Sequence, residues 1–416
     1  MKIIIVHNTY REAGGEDVVF ENEKRLLQRN GHTVIPYVRS NLELRDTYFL
    51  DRIAAATEMI WSSKSRHEFA AIVDAECPDM VHVHNTFMAI SPSIYSACSA
   101  RNVPVVQTLH NFRLLCPAGN FFRDGIICNE CVAQSLLQSV RHGCYRKSRR
   151  ATAGVALMLA VHRGLDTWLG SVTRFIVLTE FAKRKFVDAG FPSHRFVVKP
   201  NFADRDPGER VSAGKYALFV GRLVENKGLW VLLKAWKELH EQYPLQIVGD
   251  GPDRSTLQAE ASERQLSGVT FRGQLSREEV IEAVKGARFV IVPSTLYEGL
   301  PMCIVESFAC GTPVLCSRLG GLAEIVQHHV TGLHFHPGDS LDLAATVEWA
   351  WNHPMELSQM GRAARAKYET DYTAEKNYSL LMEIYEQALA TCTSRRHLSL
   401  LSQHAIPNSI QQQPKG

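Results

Sequence analysis

Two carboxylates stand eight positions apart in Glu298-Gly-Leu-Pro-Met-Cys-Ile-Val-Glu306. Ionised carboxylates accept hydrogen bonds from pairs of hydroxyls, so two of them in one crevice suit a polyhydroxylated ligand. The competing reading is two solvated glutamates, one on a loop and one on a helix face. Upstream, Gly221-Arg-Leu-Val-Glu-Asn-Lys-Gly228 supplies two cations, Arg222 and Lys227. Positive side chains beside a helix N-terminus with free N–H groups suit a diphosphate. Two solvated cations beside a turn are the alternative. The third group is sulfur, in the series Cys116-x11-Cys128-x2-Cys131-x12-Cys144. A C-x2-C pair with two outlying cysteines has the ligand count of a structural zinc site. Iron–sulfur binding and plain buried or free thiols compete with it.

These residues need elements to aim them. Glu298 follows an apolar run, Phe289 to Val292, and Glu306 falls in a short helical stretch that stops at Gly311. Arg222 and Lys227 lie between a strand, Ala217 to Val220, and a helix from Leu229 to His240. Leu245 to Val248, Val269 to Phe271 and Val314 to Leu315 read as further strands. The first half has the same grammar. A strand, Ile3 to Val6, runs into a loop, His7 to Gly15, that carries Gly14-Gly15. A helix from Asp17 to Asn30 and a strand from Thr33 to Tyr37 follow, then strands at Met80 to Val83, Val103 to Thr108 and Arg174 to Leu178. Short apolar strands separated by helices predict parallel sheets covered on both faces. The fold class is α/β, with two doubly wound domains, 1–200 and 213–370, around a shared cleft. The polar, breaker-rich stretch Lys199 to Gly208 joins them. Helices are expected over Leu341 to Trp351, Glu356 to Glu369 and Ala374 to Ala390, and disorder over 391–416.

Val248-Gly-Asp-Gly-Pro252 and Gly320-Gly-Leu-Ala-Glu324 complete an ordered set with the two motifs above. That set resembles the retaining GT-B glycosyltransferases of family 4, the glycosyl transferases group 1, over residues 1 to about 390. The resemblance implies two Rossmann-like domains facing a cleft, with a terminal helix, 371–390, that crosses back to the first. It implies roles as well. Arg222 and Lys227 would neutralise the donor diphosphate, Glu306 hold the ribose hydroxyls and Glu298 contact the donor sugar. The backbone from Gly299 through Leu300 and Pro301 to Met302 would lie beside that sugar, with Gly221 and Gly321 also at the donor. Gly14 and Gly15 look like the glycine loop near diphosphate and acceptor, and His110, in Thr108-Leu-His-Asn-Phe112, like the active-site histidine. Glu324 is read as favouring its own helix dipole. The implied reaction moves a hexosyl unit from a nucleotide diphosphate sugar to a saccharide or lipid-linked saccharide, with retention, in polysaccharide or glycolipid assembly. Fixed cations stabilise the leaving diphosphate without a metal, so no catalytic cofactor is expected. The single Asp-x-Asp, Asp204-Arg-Asp206, reads as loop. A non-catalytic nucleotide-sugar scaffold, a GT-B epimerase or phosphorylase, and a glycosidase-like carboxylate pair are the alternatives.

Composition bounds the rest. The 416 residues suit two domains, and a formal charge of +3 argues against nucleic acid as a partner. Ten cysteines with no secretory signal point to reduced thiols and a cytoplasmic protein. Five cations, Arg141, Arg146, Lys147, Arg149 and Arg150, precede an apolar stretch, Ala151 to Val161. That pattern suits peripheral contact with anionic lipid at the inner membrane face, or a solvated turn before a core helix.

Overall fold

The computed structural model describes residues 1–10, 14–43, 56–239 and 243–404, with 393–404 as backbone only. The first domain contains β1 (Lys2–Thr9), β2 (Thr33–Ser40), β3 (Met80–Val83) and β4 (Val105–Leu109). A small ribbon follows, β5 (Phe122–Arg123) and β6 (Ile126–Ile127), and then β7 (Val172–Val177) and β8 (Phe196–Val198). The second domain contains β9 (Tyr216–Val220), β10 (Leu245–Val248), β11 (Val269–Gly273), β12 (Ala287–Val292), β13 (Val314–Ser317) and β14 (Gly332–Phe335). The strand orders are β2-β1-β3-β4-β7-β8 and β11-β10-β9-β12-β13-β14. Every pairing in these two sheets is parallel. Helices cover both faces, which is why Ile3, Ile4, Ile5 and Val6 are all buried rather than alternating.

The strand order reverses between β1 and β3 in one sheet and between β9 and β12 in the other. At such a point the crossover connections part to opposite faces and leave a crevice at the strands' carboxyl ends.

Three expectations change. β1 runs on to Thr9, so the loop expected from His7 starts later, and residues 11–13 lie outside the described residues. β8 and β14 are additional strands, the second within the region read as helical after Gly332. Each has only three or four residues, too few for a period to show. The polar tail expected to be disordered from Thr391 instead continues the terminal helix Ala374–His404, while 405–416 lie outside the described residues. Thr391 to His404 contains neither Gly nor Pro, and extending a formed helix costs far less than starting one.

That terminal helix lies against the first sheet. Leu381, Ile384, Tyr385 and Ala388 follow i, i+3, i+4, i+7 spacing and pack on Ile3, Leu27, Met80, Val106 and Ile176. Burying Leu381 and Ile384 stabilises the docked helix by roughly 3–6 kcal/mol, as an upper value. The linker is tied down too. Arg29 makes a bidentate pair with Asp204 at 2.8 and 3.0 Å, and Arg365 pairs with Asp206 at 2.6 and 2.7 Å.

Candidate active site in the interdomain cleft

Lys227 and Glu298 stand at the reversal point of the second sheet. Lys227 follows β9 in a single helical turn, Glu225–Lys227, that Gly228 closes at φ +77. A Cβ on Gly228 would collide with the Pro293 carbonyl, so only glycine lets this turn approach the end of β12. The contact brings Lys227 Nζ to 2.7 Å from Glu298 Oε1, which also accepts from Ser294 Oγ at 2.6 Å. Burial works against the Lys227 ammonium, but Glu298 more than offsets it, so its pKa lies above the ordinary lysine value. The two residues assigned to diphosphate and sugar thus hold each other. Arg222 is exposed beside Gly221 on the same loop.

Glu306 lies on the helix Met302–Ala309, only 8% exposed. Burial raises its carboxyl to a pKa of about 7, with Arg277 pulling the other way. It lines a cleft of about 650 Å³ with Arg25, Asp204, Arg277 and Lys285, and Glu298 is not among the lining residues. Both carboxylates act on the half-buried Cys303. Burial pushes that thiol up to about 12, and it feels the charges of Lys227, Glu306 and Glu298 together.

The first domain supplies a histidine relay that the sequence did not announce. His82 is on β3, His84 follows β3, and His110 follows β4. Glu23, on the helix Gly15–Arg29, is fully buried. Burial alone would raise its carboxyl, but Lys199, His82 and His84 outweigh this and hold it well below the usual range. Lys199 Nζ sits 2.7 Å from Glu23 Oε2 and 3.1 Å from Asn377 Oδ1 on the terminal helix. Glu23 Oε1 meets His84 Nε2 at 3.2 Å, and His84 Nδ1 meets His110 Nε2 at 3.0 Å. Burial lowers His84 to a pKa of about 3 and His110 well below the ordinary value, so both rings are neutral. An ionised Glu23 only accepts, so His84 carries its proton on Nε2 and accepts on Nδ1. His110 then donates from Nε2, which leaves its Nδ1 as an acceptor for a ligand hydroxyl. Glu16 is a second residue missed, raised by burial to about 7 and contacted by Asn85 and Asn111 at 3.2 and 3.5 Å. His-x-His at the end of a strand, in Val81-His-Val-His84, was the available signal.

Small residues bring the halves together. A Cβ on Gly299 would stand 3.1 Å from the His110 carbonyl, and one on Gly321 would stand 3.1 Å from the carbonyls of Glu298 and Gly299. The turn Leu300-Pro301-Met302 then starts the Glu306 helix, with the Leu300 carbonyl accepting from Asn201 at 2.9 Å. Tyr297 packs on Phe112, Phe121 and Phe181 of the first domain. Glu324 does not serve its own helix. It accepts from the N–H groups of Glu180 and Phe181 at 2.6 and 2.7 Å and caps a helix of the other domain. In the glycine loop, the Gly14 N–H already donates to Asp17 at 2.6 Å, while Gly15 faces open space. Cys116, Cys128, Cys131 and Cys144 gather around one cavity of about 10 Å³. The helix Arg149–Gly164 turns Val155, Ala156, Met158 and Leu159 into the core, while the five cations before and at its start are exposed. No helix among the described residues is long and apolar enough to cross a membrane.

Two sheets with reversal points facing one cleft define a GT-B architecture, and comparison with known proteins narrows it. The family models Glycosyltransferase Family 4 and Glycosyl transferases group 1 match residues 13–207 and 201–367. Matched in succession over most of its length, the chain belongs to the family-4-like GT-B glycosyltransferases. D-rhamnosyltransferase WbpZ of Pseudomonas aeruginosa is 33% identical over 162 residues, 38% of this chain and 42% of that protein. O-antigen chain mannosyltransferase C of Escherichia coli is 30% identical over 176 residues, 42% of this chain and 47% of that protein. The chain spans less than half the length of these relatives. Sucrose-phosphate synthase from Thermosynechococcus elongatus shares the fold at a TM-score of 0.70 and 18% identity, over 94% of this chain and 99% of that one. Anabaena HepE, solved with UDP and glucose, superposes at a TM-score of 0.64 and 17% identity, over 95% of this chain and all 100% of that one.

Proposed function

We propose that this chain is a metal-independent, retaining glycosyltransferase that moves a hexosyl unit from a nucleotide diphosphate sugar to a saccharide or lipid-linked saccharide. The observation that carries the reading is the Lys227–Glu298 pair at the β9/β12 reversal point, opposite His110 across Gly299. Relatives named for rhamnosyl and mannosyl transfer, and a fold relative solved with UDP and glucose, support a sugar nucleotide as donor.

An incoming diphosphate exchanges partners with this pair. Lys227 turns from Glu298 to the phosphates beside Arg222, and Glu298 is freed to accept from sugar hydroxyls. As the bond to the leaving oxygen lengthens, negative charge grows where two fixed cations already stand. Asp204 and Asp206 are committed to Arg29 and Arg365, which leaves the Asp-x-Asp poorly suited to a metal-bound diphosphate. His110, held neutral with a weakly basic ring, suits a hydroxyl grip better than proton abstraction. The acceptor proton then passes to the departing diphosphate oxygen as the acceptor attacks from the same face. Glu306 accepts from the ribose hydroxyls. A lipid-linked acceptor would bring the exposed cations Arg141 to Arg150 to an anionic membrane face from the cytoplasmic side.

The test is a thermal-shift panel of UDP, GDP, ADP and their sugar conjugates, followed by turnover with and without chelator. One base should raise the melting temperature, through mass action on the folded state. Lys227→Ala should remove that shift, and the product's anomeric configuration, read by NMR, should match the donor's. A folded chain that binds none of these nucleotides would sink the transferase reading in favour of a scaffold. Turnover that is lost with chelator and restored by magnesium or manganese, with zinc content unchanged, would sink metal independence alone.

A further inference from the structure

We propose that Cys116, Cys128, Cys131 and Cys144 bind one zinc ion, which staples the acceptor-side wall of the cleft in place. After His110 the chain leaves the first sheet and returns to long regular structure only at the helix Arg149–Gly164. Between residues 122 and 148 no apolar side chain is buried, and only Ser139 and Gly143 are. The excursion contains two-residue strands, β5 and β6, and two short helices, Glu130–Ala133 and Leu137–His142. Neither a two-residue ribbon nor a single helical turn is stable by itself in water. An excursion without an apolar core needs another source of order, as small metal-stapled domains do.

The thiols stand where such a staple would. All four line a single cavity together with Ser139, and none is in a disulfide. The ribbon turns at Asp124-Gly125, both at positive φ, and so delivers Cys128, with Cys131 one turn later on the following helix. Cys116 comes from the loop after His110, and Cys144 directly follows Gly143, which is at φ +64. Four thiols around one cavity match the ligand count of a tetrahedral zinc site. No three of these sulfurs lie mutually within 4.8 Å, whereas a tetrahedral zinc–thiolate site sets them ~3.8 Å apart. Loading therefore requires the sulfurs to close on one another. Four S–H bonds break, four Zn–S bonds form, and four protons pass to solvent. The resulting double negative charge lies near Arg163 and near Arg123, which also pairs with Glu130 at 2.8 Å on the same cavity.

The buried trio Glu23, His82 and His84 is the one set among the described residues with ligand atoms within 4.8 Å of one another. It is a poor rival, because Lys199 Nζ already supplies the cation at 2.7 Å from Glu23. The cysteine site has a consequence for the cleft. Phe112 and Phe121 flank Cys116 in sequence, and both rings stand 6.3 Å from Tyr297, the neighbour of Glu298. The staple thus braces the surface on which the Glu298 loop rests.

The full chain, purified after expression with zinc, is assayed for metal by mass spectrometry and for thiols by a mercurial reagent. One zinc per chain is expected, released as the cysteines are blocked. Cys128→Ser and Cys131→Ser should lower the zinc content severalfold, and Cys77→Ser, at an exposed site, should leave it unchanged. Should both variants fail to fold, cobalt loading of the wild type still decides. Thiolate-to-cobalt charge-transfer absorption supports the site, and its absence overturns it. Folded wild type without stoichiometric zinc after reconstitution, or with iron and sulfide instead, overturns it equally.

Discussion

Glu306→Gln isolates the cost of one buried charge. Burial raises the folded-state pKa of this carboxyl from 4.5 to about 7. A carboxyl with a raised pKa binds its proton more tightly in the folded chain. Its contribution to stability is fully present below pH 4.5 and is lost as pH rises through 7. Moving from 4.5 to about 7, at about 1.4 kcal/mol per pH unit, sets the loss at ~3 kcal/mol by pH 8. Glutamine keeps the shape and drops the charge. At pH 5, just above the unfolded value, the variant should lead by less than about 1 kcal/mol, and at pH 8 by up to about 3 kcal/mol. Urea melts at the two pH values read this difference directly. Glu16 titrates in the same range but is present in both proteins, so it cancels. Ligand binding should move the other way. Ribose hydroxyls donating to the ionised carboxylate favour it, so nucleotide affinity of the wild type should rise with pH through about 7, while the variant binds weakly and without that dependence. Equal stability differences at pH 5 and pH 8, or a variant weaker than wild type at pH 8, would refute the reasoning.

Two further outcomes follow from the first domain. His84→Leu removes the acceptor that fixes the His110 tautomer, and turnover should fall about tenfold, near the ~1.4 kcal/mol of one misplaced hydrogen bond, with KM little changed. A change confined to KM would place His84 outside that relay. Lys199→Met leaves Glu23 buried without its ammonium partner and should cost about 3–5 kcal/mol in a urea melt, with partial recovery on adding Glu23→Gln. A neutral effect of Lys199→Met would show that the two histidines suffice to hold the carboxylate.

The second-domain site was readable because its parts are local. Glycine loops and charged residues at strand ends are written in consecutive letters, as in Gly221 to Gly228 and Glu298 to Glu306. What the letters did not carry was pairing over distance. Lys227 and Glu298 are 71 positions apart and hold each other before any ligand arrives. The relay joins Glu23, His84, His110, Lys199 and Asn377, each ordinary within its own segment, and only the sheet order brings them together. Glu324 looked like a residue of its own helix, because its partner lies 144 positions earlier. β14 was hidden by brevity, and the helical tail was misjudged because polar composition was weighed above the lack of a breaker before Pro407.

The docking of the terminal helix sets an order of events in biosynthesis. Domains commonly fold as they leave the ribosome, the first-made before the last. Here Ile3, Met80, Val106 and Ile176 present one continuous apolar surface, and its cover is Leu381 to Ala388. Residues 381 to 388 must be translated before the strands at Ile3 and Met80 are sealed. The nascent first domain therefore waits, sticky on one side, while the second is made, and a helix that follows the second domain closes the first.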